Sequence, residues 1–412
     1  MTVYTILCII ITLAALFAYV IARFTKLPTT IGVMMVTLLV SVIAVILNES
    51  VVPFTTDSMK DAIASLDFHD LLLNRLLGFL LFAGALHINL NDLKKQGLPV
   101  AALASAGTLI STFMVGLLMF LLFNLFKVDV PLVYCFLFGA LISPTDPIAV
   151  LGALKDANIA KSLELKISGE SLFNDGMALV LFTLLYEVAK MGTDHLTVGG
   201  VLLLFLKEAG GGIAFGFALG YAGYFLNRSI NNYGVEVLIT IAIVMGGYEL
   251  ANYLHISGPL AMVVAGLITG NPAKNEAMSD NTRDYLVKFW DLLDQILNAI
   301  LFMLIGLEML IVPISLSTLG FGLMAIVVVL IARYISVGIS VFAFKRILQF
   351  EKNTVQILTW GGIRGGISVA LALSLADDMH KNQFLAITYI IVVFSIVVQG
   401  LTIGKVAKKL SA

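Results

Sequence analysis

Two carboxylates stand where a bilayer would make them expensive. Asp146 lies in the run Ser143-Pro144-Thr145-Asp146-Pro147, and Asp175 closes Glu170-Ser171-Leu172-Phe173-Asn174-Asp175; both runs are set in stretches that are otherwise apolar. An aspartate at the membrane centre costs about 2.5–3.5 kcal/mol on insertion scales, so residues of this kind mark ion or proton pathways. At 100° per residue, Glu170, Ser171, Asn174 and Asp175 fall within an arc of about 140°. A single helix face therefore carries the polar groups, stacked as Ser171 with Asp175 and Glu170 with Asn174. Asp175 and Asp146 supply carboxylate oxygens, Ser171 and Thr145 supply hydroxyls, and freed carbonyls near Thr145 add to them. That set suits a hard monovalent cation; the sequence offers no cluster of cysteine or histidine ligands for a transition metal. Burial disfavours the charged form of a carboxyl group. A buried aspartate can thus hold a proton or a metal cation but not comfortably both, which is the minimal chemistry of antiport.

The elements around these residues are interrupted. Pro144 and Pro147 lack backbone N–H groups and break the helical ladder. A second stretch, Val355–Ala376, places four glycines around Arg364 in Gly361-Gly362-Ile363-Arg364-Gly365-Gly366. Each weakens a helix by about 1 kcal/mol relative to alanine and admits close backbone approach. These are the fifth and twelfth apolar stretches. Their odd offset makes them cross in opposite directions, as two copies of an inverted repeat do, and paired interrupted spans point to a transporter's midplane site. A pair of packing kinks is the bland reading of the same pattern. Glu170 is a third buried carboxylate, and Arg364 is its expected counter-ion, because a buried arginine needs an acid as much as the acid needs it.

Composition sets the frame. With 412 residues, 59% of them hydrophobic and 12% charged, and a mean hydropathy of +1.01, the chain reads as an all-α polytopic membrane protein. Stretches near bilayer length number thirteen: about 3–22, 29–47, 71–89, 98–123, 131–154, 165–189, 197–226, 235–254, 257–270, 289–313, 315–344, 355–376 and 384–404. The ninth is short enough to be re-entrant. Lysine and arginine alternate with this count, seventeen in loops on one side against four on the other. That bias places the N-terminus outside and the C-terminus in the cytoplasm. The first stretch reads as a retained helix, not a signal peptide. Cys8 and Cys135 fall in apolar runs and suggest no disulfide framework. The gap before residue 71 and the polar segment 271–291, with room for a short surface helix, read as ordinary connectors.

With Leu80–Leu90 in the third stretch, the three motifs resemble the monovalent cation:proton antiporters of the NhaP type, relatives of the animal sodium/proton exchangers, over essentially the whole chain. The resemblance implies the NhaA-like antiporter fold with inverted repeats and two interrupted crossing helices, and a single transporter domain spanning 1–412. It also implies a homodimer in which core helices, about 98–189 and 315–407, move against a dimerisation scaffold. Asp175 becomes the carrier of proton or cation, Asp146, Thr145 and Ser171 its co-ligands, and Asn174, Glu170 and Arg364 its supports. One acid in the Asn174-Asp175 pair implies electroneutral one-for-one exchange. The third stretch offers Ala83 and His87 and no acid, which leaves a further carboxylate ligand in doubt; His87 reads as a pH sensor or as merely interfacial. Glu308 and Arg333 on stretches ten and eleven are structural or gating charges, paired with each other or with partners elsewhere.

Two other classes stay open. Asp146 and Asp175 could form an intramembrane protease dyad, though the Gly-x-Gly-Asp arrangement is missing, and a passive channel would normally show repeated pore segments. No Walker-type nucleotide motif is present, so an ion gradient must supply the energy. Expected partners are lipid, protons and a monovalent cation, with no cofactor, nucleotide or nucleic acid, in a prokaryotic plasma membrane. Sodium, lithium and potassium are not distinguished.

Overall fold

A computed structural model describes residues 3–25, 27–50, 67–154, 160–191, 198–271, 278–344 and 350–411. Within them the chain is helical, with no strand: α1 (Val3–Phe24), α2 (Thr29–Ser50), α3 (Asp70–His87), α4 (Leu90–Leu125), half-helices α5 (Leu132–Ile142) and α6 (Pro147–Leu154), α7 (Lys161–Met191), α8 (Gly199–Arg228), α9 (Tyr233–Tyr253), α10 (Gly258–Ile268), α11 (Asp280–Glu308), α12 (Leu316–Phe344), half-helices α13 (Thr354–Trp360) and α14 (Gly366–Leu373), and α15 (Lys381–Leu410). Among the described residues nine helices are long and apolar enough to cross a membrane, and α2, α5 and α10 add shorter apolar ones. The loops bearing Lys60, Lys155, Lys274, Lys345 and Arg346, on which the charge alternation leans, lie outside the described residues.

Three boundaries differ from the sequence reading, each for a local reason. The polar segment from Leu90 to Gly97 belongs to α4, because the Asn89 side chain caps it by accepting from Asn91 N and Asp92 N. The polar residues from Asp280 onward form no separate surface helix; Ser279 caps them and α11 runs unbroken into the apolar region. The last helix continues to Leu410, about six residues past the apolar stretch. Cys135 is buried, whereas Cys8 is exposed on α1.

Two groups of helices emerge from the packing. In one, α5 packs against α4, α7 and α14, and α12 against α4 and α15; in the other, α10 packs against α3, α8 and α9, and α11 against α2 and α3. Close approach of α4 and α5 requires Gly139, where a Cβ would collide with the Thr112 carbonyl. The corner between α3 and α4 is pinned by Asn271. Its side chain accepts from Leu90 N at 2.7 Å and donates to Ile88 O and Leu267 O, both at 2.9 Å. That corner forms one edge of the cavity between the groups.

Candidate cation and proton site

The first break is built by its own side chains. Pro147 opens α6, where a missing N–H costs nothing, and Asp146 Oδ1 accepts from Ile148 N at 2.8 Å, as an N-cap does. Asp146 thus has a structural reason to sit there as well as a chemical one. Thr145 is held from α7: Asn174 Nδ2 donates to Thr145 Oγ1 at 2.8 Å, Thr145 N lies 3.4 Å from Asn174 Oδ1, and the Thr145 and Ser171 hydroxyls are 2.9 Å apart.

The second break meets the first through backbone. Asp146 N donates to Ile363 O at 2.8 Å, and Arg364 Nη1 donates to Ser143 O at 2.6 Å and Pro144 O at 3.0 Å. Those carbonyls end α5, so the guanidinium sits where a helix C-terminus favours positive charge. Gly365 is required by the crossing, since a Cβ there would lie 2.7 Å from Asp146 Oδ2. At the end of α13, Gln399 Nε2 donates to Trp360 O at 3.0 Å.

A cavity of about 430 Å³ opens between the two helix groups. Thr145, Asp146 and Asp175 line it, together with Asp294, Asn298 and Gly365. Asp175 is only 7% exposed, Asp146 is its electrostatic neighbour, and Asp175 Oδ1 has no hydrogen-bond donor among the described residues. Ser171, Asn174, Glu170 and Arg364 do not line the cavity; they are buried behind it, Ser171 and Asn174 against Thr145. Among the described residues no group of three histidine, cysteine, aspartate or glutamate side chains could hold a metal by itself. A hard cation here would draw on carboxylate, hydroxyl and carbonyl oxygens together.

The expected Glu170–Arg364 pair is corrected. Glu170 Oε1 lies 2.5 Å from Arg333 Nη1, both groups buried, while Arg364 is engaged with the carbonyls of the first break. Arg364 stays within electrostatic range of Glu170 and Arg333. Glu308 and Arg333 are therefore not each other's partners; Glu308 is 4% exposed and makes no ion pair among the described residues. His87 Nε2 lies 3.1 Å from Asp291 Oδ1 at the rim, both half-exposed, which fits the interfacial reading of this histidine. Sequence reasoning missed Asp294 and Asn298. Their signal was present, a polar pair four apart in an apolar helix, the same spacing that singled out Glu170 and Asn174.

A family model described as the transmembrane sodium/hydrogen exchanger matches residues 11–409. The chain is 47% identical over 406 residues to the Na(+)/H(+) antiporter NhaP of Pseudomonas aeruginosa, covering 98% of this chain and 96% of that protein. It is 34% identical over 393 residues to NhaH of Halobacillus aidingensis, covering 95% and 94%. In fold it matches the solved structure of the sodium proton antiporter MjNhaP1 from Methanocaldococcus jannaschii, with a TM-score of 0.76 at 19% identity over 98% of each chain. Members of this family are secondary transporters, which sets aside the protease reading. By the family match and by identity over nearly its full length, the chain belongs to the sodium/hydrogen exchanger family.

Proposed function

We propose that the protein exchanges sodium or lithium for protons across a prokaryotic plasma membrane, one for one, with Asp175 as the shared carrier. The observation that carries this reading is the Asp175 carboxylate itself: nearly buried, one oxygen unpartnered, beside Asp146 on the wall of a cavity between two helix groups. Either loaded form neutralises the site and can be carried, while the empty anion resists desolvation and so limits leak. The names of the relatives support sodium as the cation.

In this reading α4–α7 and α12–α15 form the moving core and the remaining helices the scaffold of a homodimer. Asp146 and Thr145 contribute oxygens from the first break. Ser171 and Asn174 hold Thr145 in place, so Ser171 acts on the cation through that hydroxyl. The N-terminus lies outside and the C-terminus in the cytoplasm, following the charge alternation.

Purified protein in liposomes tests this. A pH gradient is imposed, sodium, lithium, potassium or choline is added, and internal pH is followed with and without a valinomycin clamp. Sodium-dependent proton movement, indifferent to the clamp and absent in Asp175→Ala, is expected. Clamp-sensitive exchange would defeat the electroneutral stoichiometry. No cation dependence in verified proteoliposomes would defeat the function.

A further inference from the structure

We propose that α11 supplies a second oxygen station for the transported cation, formed by the Asp294 carboxylate and Asn298 Oδ1 on the scaffold side of the cavity, facing Asp146 and Asp175. The proposal rests on the antiport reading and deepens it.

Asp291, Asp294, Asn298 and Leu301 follow a spacing of three, four and three, which puts them on a single face of α11. That face looks into the cavity: Asp294, Asn298 and Leu301 line it along with Asp146 and Asp175. Asn298 is 1% exposed, and its amide orientation is settled by chemistry. The Nδ2 group donates to the Asp294 carbonyl at 2.8 Å, an acceptor that only the nitrogen end can serve. The amide also hydrogen-bonds the Asp294 carboxylate, which ties the two side chains together and leaves Oδ1 without a donor among the described residues. A buried amide oxygen left without a donor costs free energy unless something positive meets it. Along α11, Asp294 stands between Asn298 and Asp291, which meets His87, and Asp146 is its electrostatic neighbour across the cavity wall.

A neutral oxygen beside a carboxylate is the donor set a partly hydrated monovalent cation takes. It is poor for a proton shared between acids, because the amide oxygen is a weak base. The third helix, which brings no acid to this cavity, is thereby complemented by the eleventh. Cation ligands on both walls also let the scaffold hold sodium as it enters, before the core carboxylates take it.

The test uses the full-length protein in liposomes and compares wild type, Asp294→Asn and Asn298→Leu, each measured for exchange rate against sodium and lithium concentration at fixed pH. A second readout is the sodium-dependent rise in melting temperature in detergent, which needs no turnover. Both variants are expected to raise the apparent KM for sodium by about fivefold to tenfold, with the maximal rate held within about threefold. They should also change the lithium-to-sodium KM ratio and weaken the sodium-dependent thermal shift. If Asn298→Leu does not fold, the isosteric Asp294→Asn decides alone. Unchanged KM and unchanged thermal shift overturn the station, as does a fall in maximal rate with KM intact, which marks a structural role. Wild type that exchanges no cation removes the antiport reading first, an outcome distinct from active wild type with indifferent variants.

Discussion

The two helix breaks meet at one point yet are made of different material. The first presents Thr145 and Asp146, side chains with oxygens, and turns Thr145 and Asp146 to the cavity. The second presents glycines and Arg364, which fill no ligand position; its contribution is the Ile363 carbonyl, the guanidinium on the Ser143 and Pro144 carbonyls, and the room that Gly365 leaves for Asp146. The two breaks thus divide the labour: in the reading proposed above, one holds the ion and the other holds the break. A cavity reached by water can accept the first kind of polarity. The second kind is buried and has to be satisfied within the protein.

The sharpest way to break this comparison is to remove one charge from the first break without disturbing its fold. Asn caps a helix about as well as Asp. Asp146→Asn should therefore keep the bond to Ile148 N and the melting temperature while cation-dependent exchange falls by more than about a hundredfold, a loss typical of removing a group that acts on the reacting charge. Proteoliposome rates and thermal melts on the same preparation check both halves. A large drop in melting temperature would mean that Asp146 serves the fold first, and the contrast with the second break would weaken.

Behind the breaks, the ion pair offers the next effect. Glu170→Ala strands Arg333 in a buried site, and such unpairing costs about 3–5 kcal/mol. Double-mutant cycles by chemical denaturation should give Glu170 and Arg333 a coupling above about 1.5 kcal/mol, larger than that of Glu170 with Arg364. The reverse ranking would return Arg364 to Glu170 and take it from the first break's carbonyls.

Crowding tests the second break directly. Gly365→Ala drives a methyl against Asp146 Oδ2, and over-packing of this kind costs about 1–3 kcal/mol. It should also raise the cation KM, because the displaced atom is a proposed ligand. Gly338→Ala on α12 meets nothing within 4 Å and should be neutral or stabilising by up to about 1 kcal/mol. Equal effects at the two glycines would deny any special closeness at the crossing.

Much of this was legible in the sequence because membrane burial makes polar residues conspicuous. Pro144, Asp146, Asn174 and Asp175 announced themselves against apolar neighbours, and the helix arc placed Asn174 on the same face as Ser171. The partner of Glu170 was not legible: Arg333 and Arg364 were both available, and the choice depends on how α12 sits against α7. Spacing also could not reveal that Arg364 would spend its hydrogen bonds on carbonyls, since a bare helix end is visible only once the break has been folded. Asp294 and Asn298 were missed for a different reason. They lie midway along α11, close behind a segment that carries Asp280, Arg283, Asp284, Lys288 and Asp291, so a further polar residue there did not stand out as Glu308 did.

The smallest effect concerns how the two breaks are tied at their outer edge. Glu351, just before α13, accepts from Lys166 of α7 at 2.6 Å and from the Ser162 hydroxyl, with the Phe350 ring 5.1 Å from the ammonium. This anchors the entry to the second break on the helix that carries Asp175. Partial burial raises the Glu351 carboxyl, but the hydrogen bonds from Lys166 and Ser162 outweigh it and hold the group below its ordinary 4.5. A depressed carboxyl contributes stability that is complete above its ordinary value and is lost as pH falls through the lower folded one. Glu351→Gln should therefore cost about 1–2 kcal/mol near neutral pH, the range of one charge-assisted hydrogen bond, and the gap to wild type should close as pH drops below 4.5. Melting curves in detergent across that range read it out. A gap that stays constant, or widens in acid, would mean that the anchor holds by packing on Phe350 and not by charge.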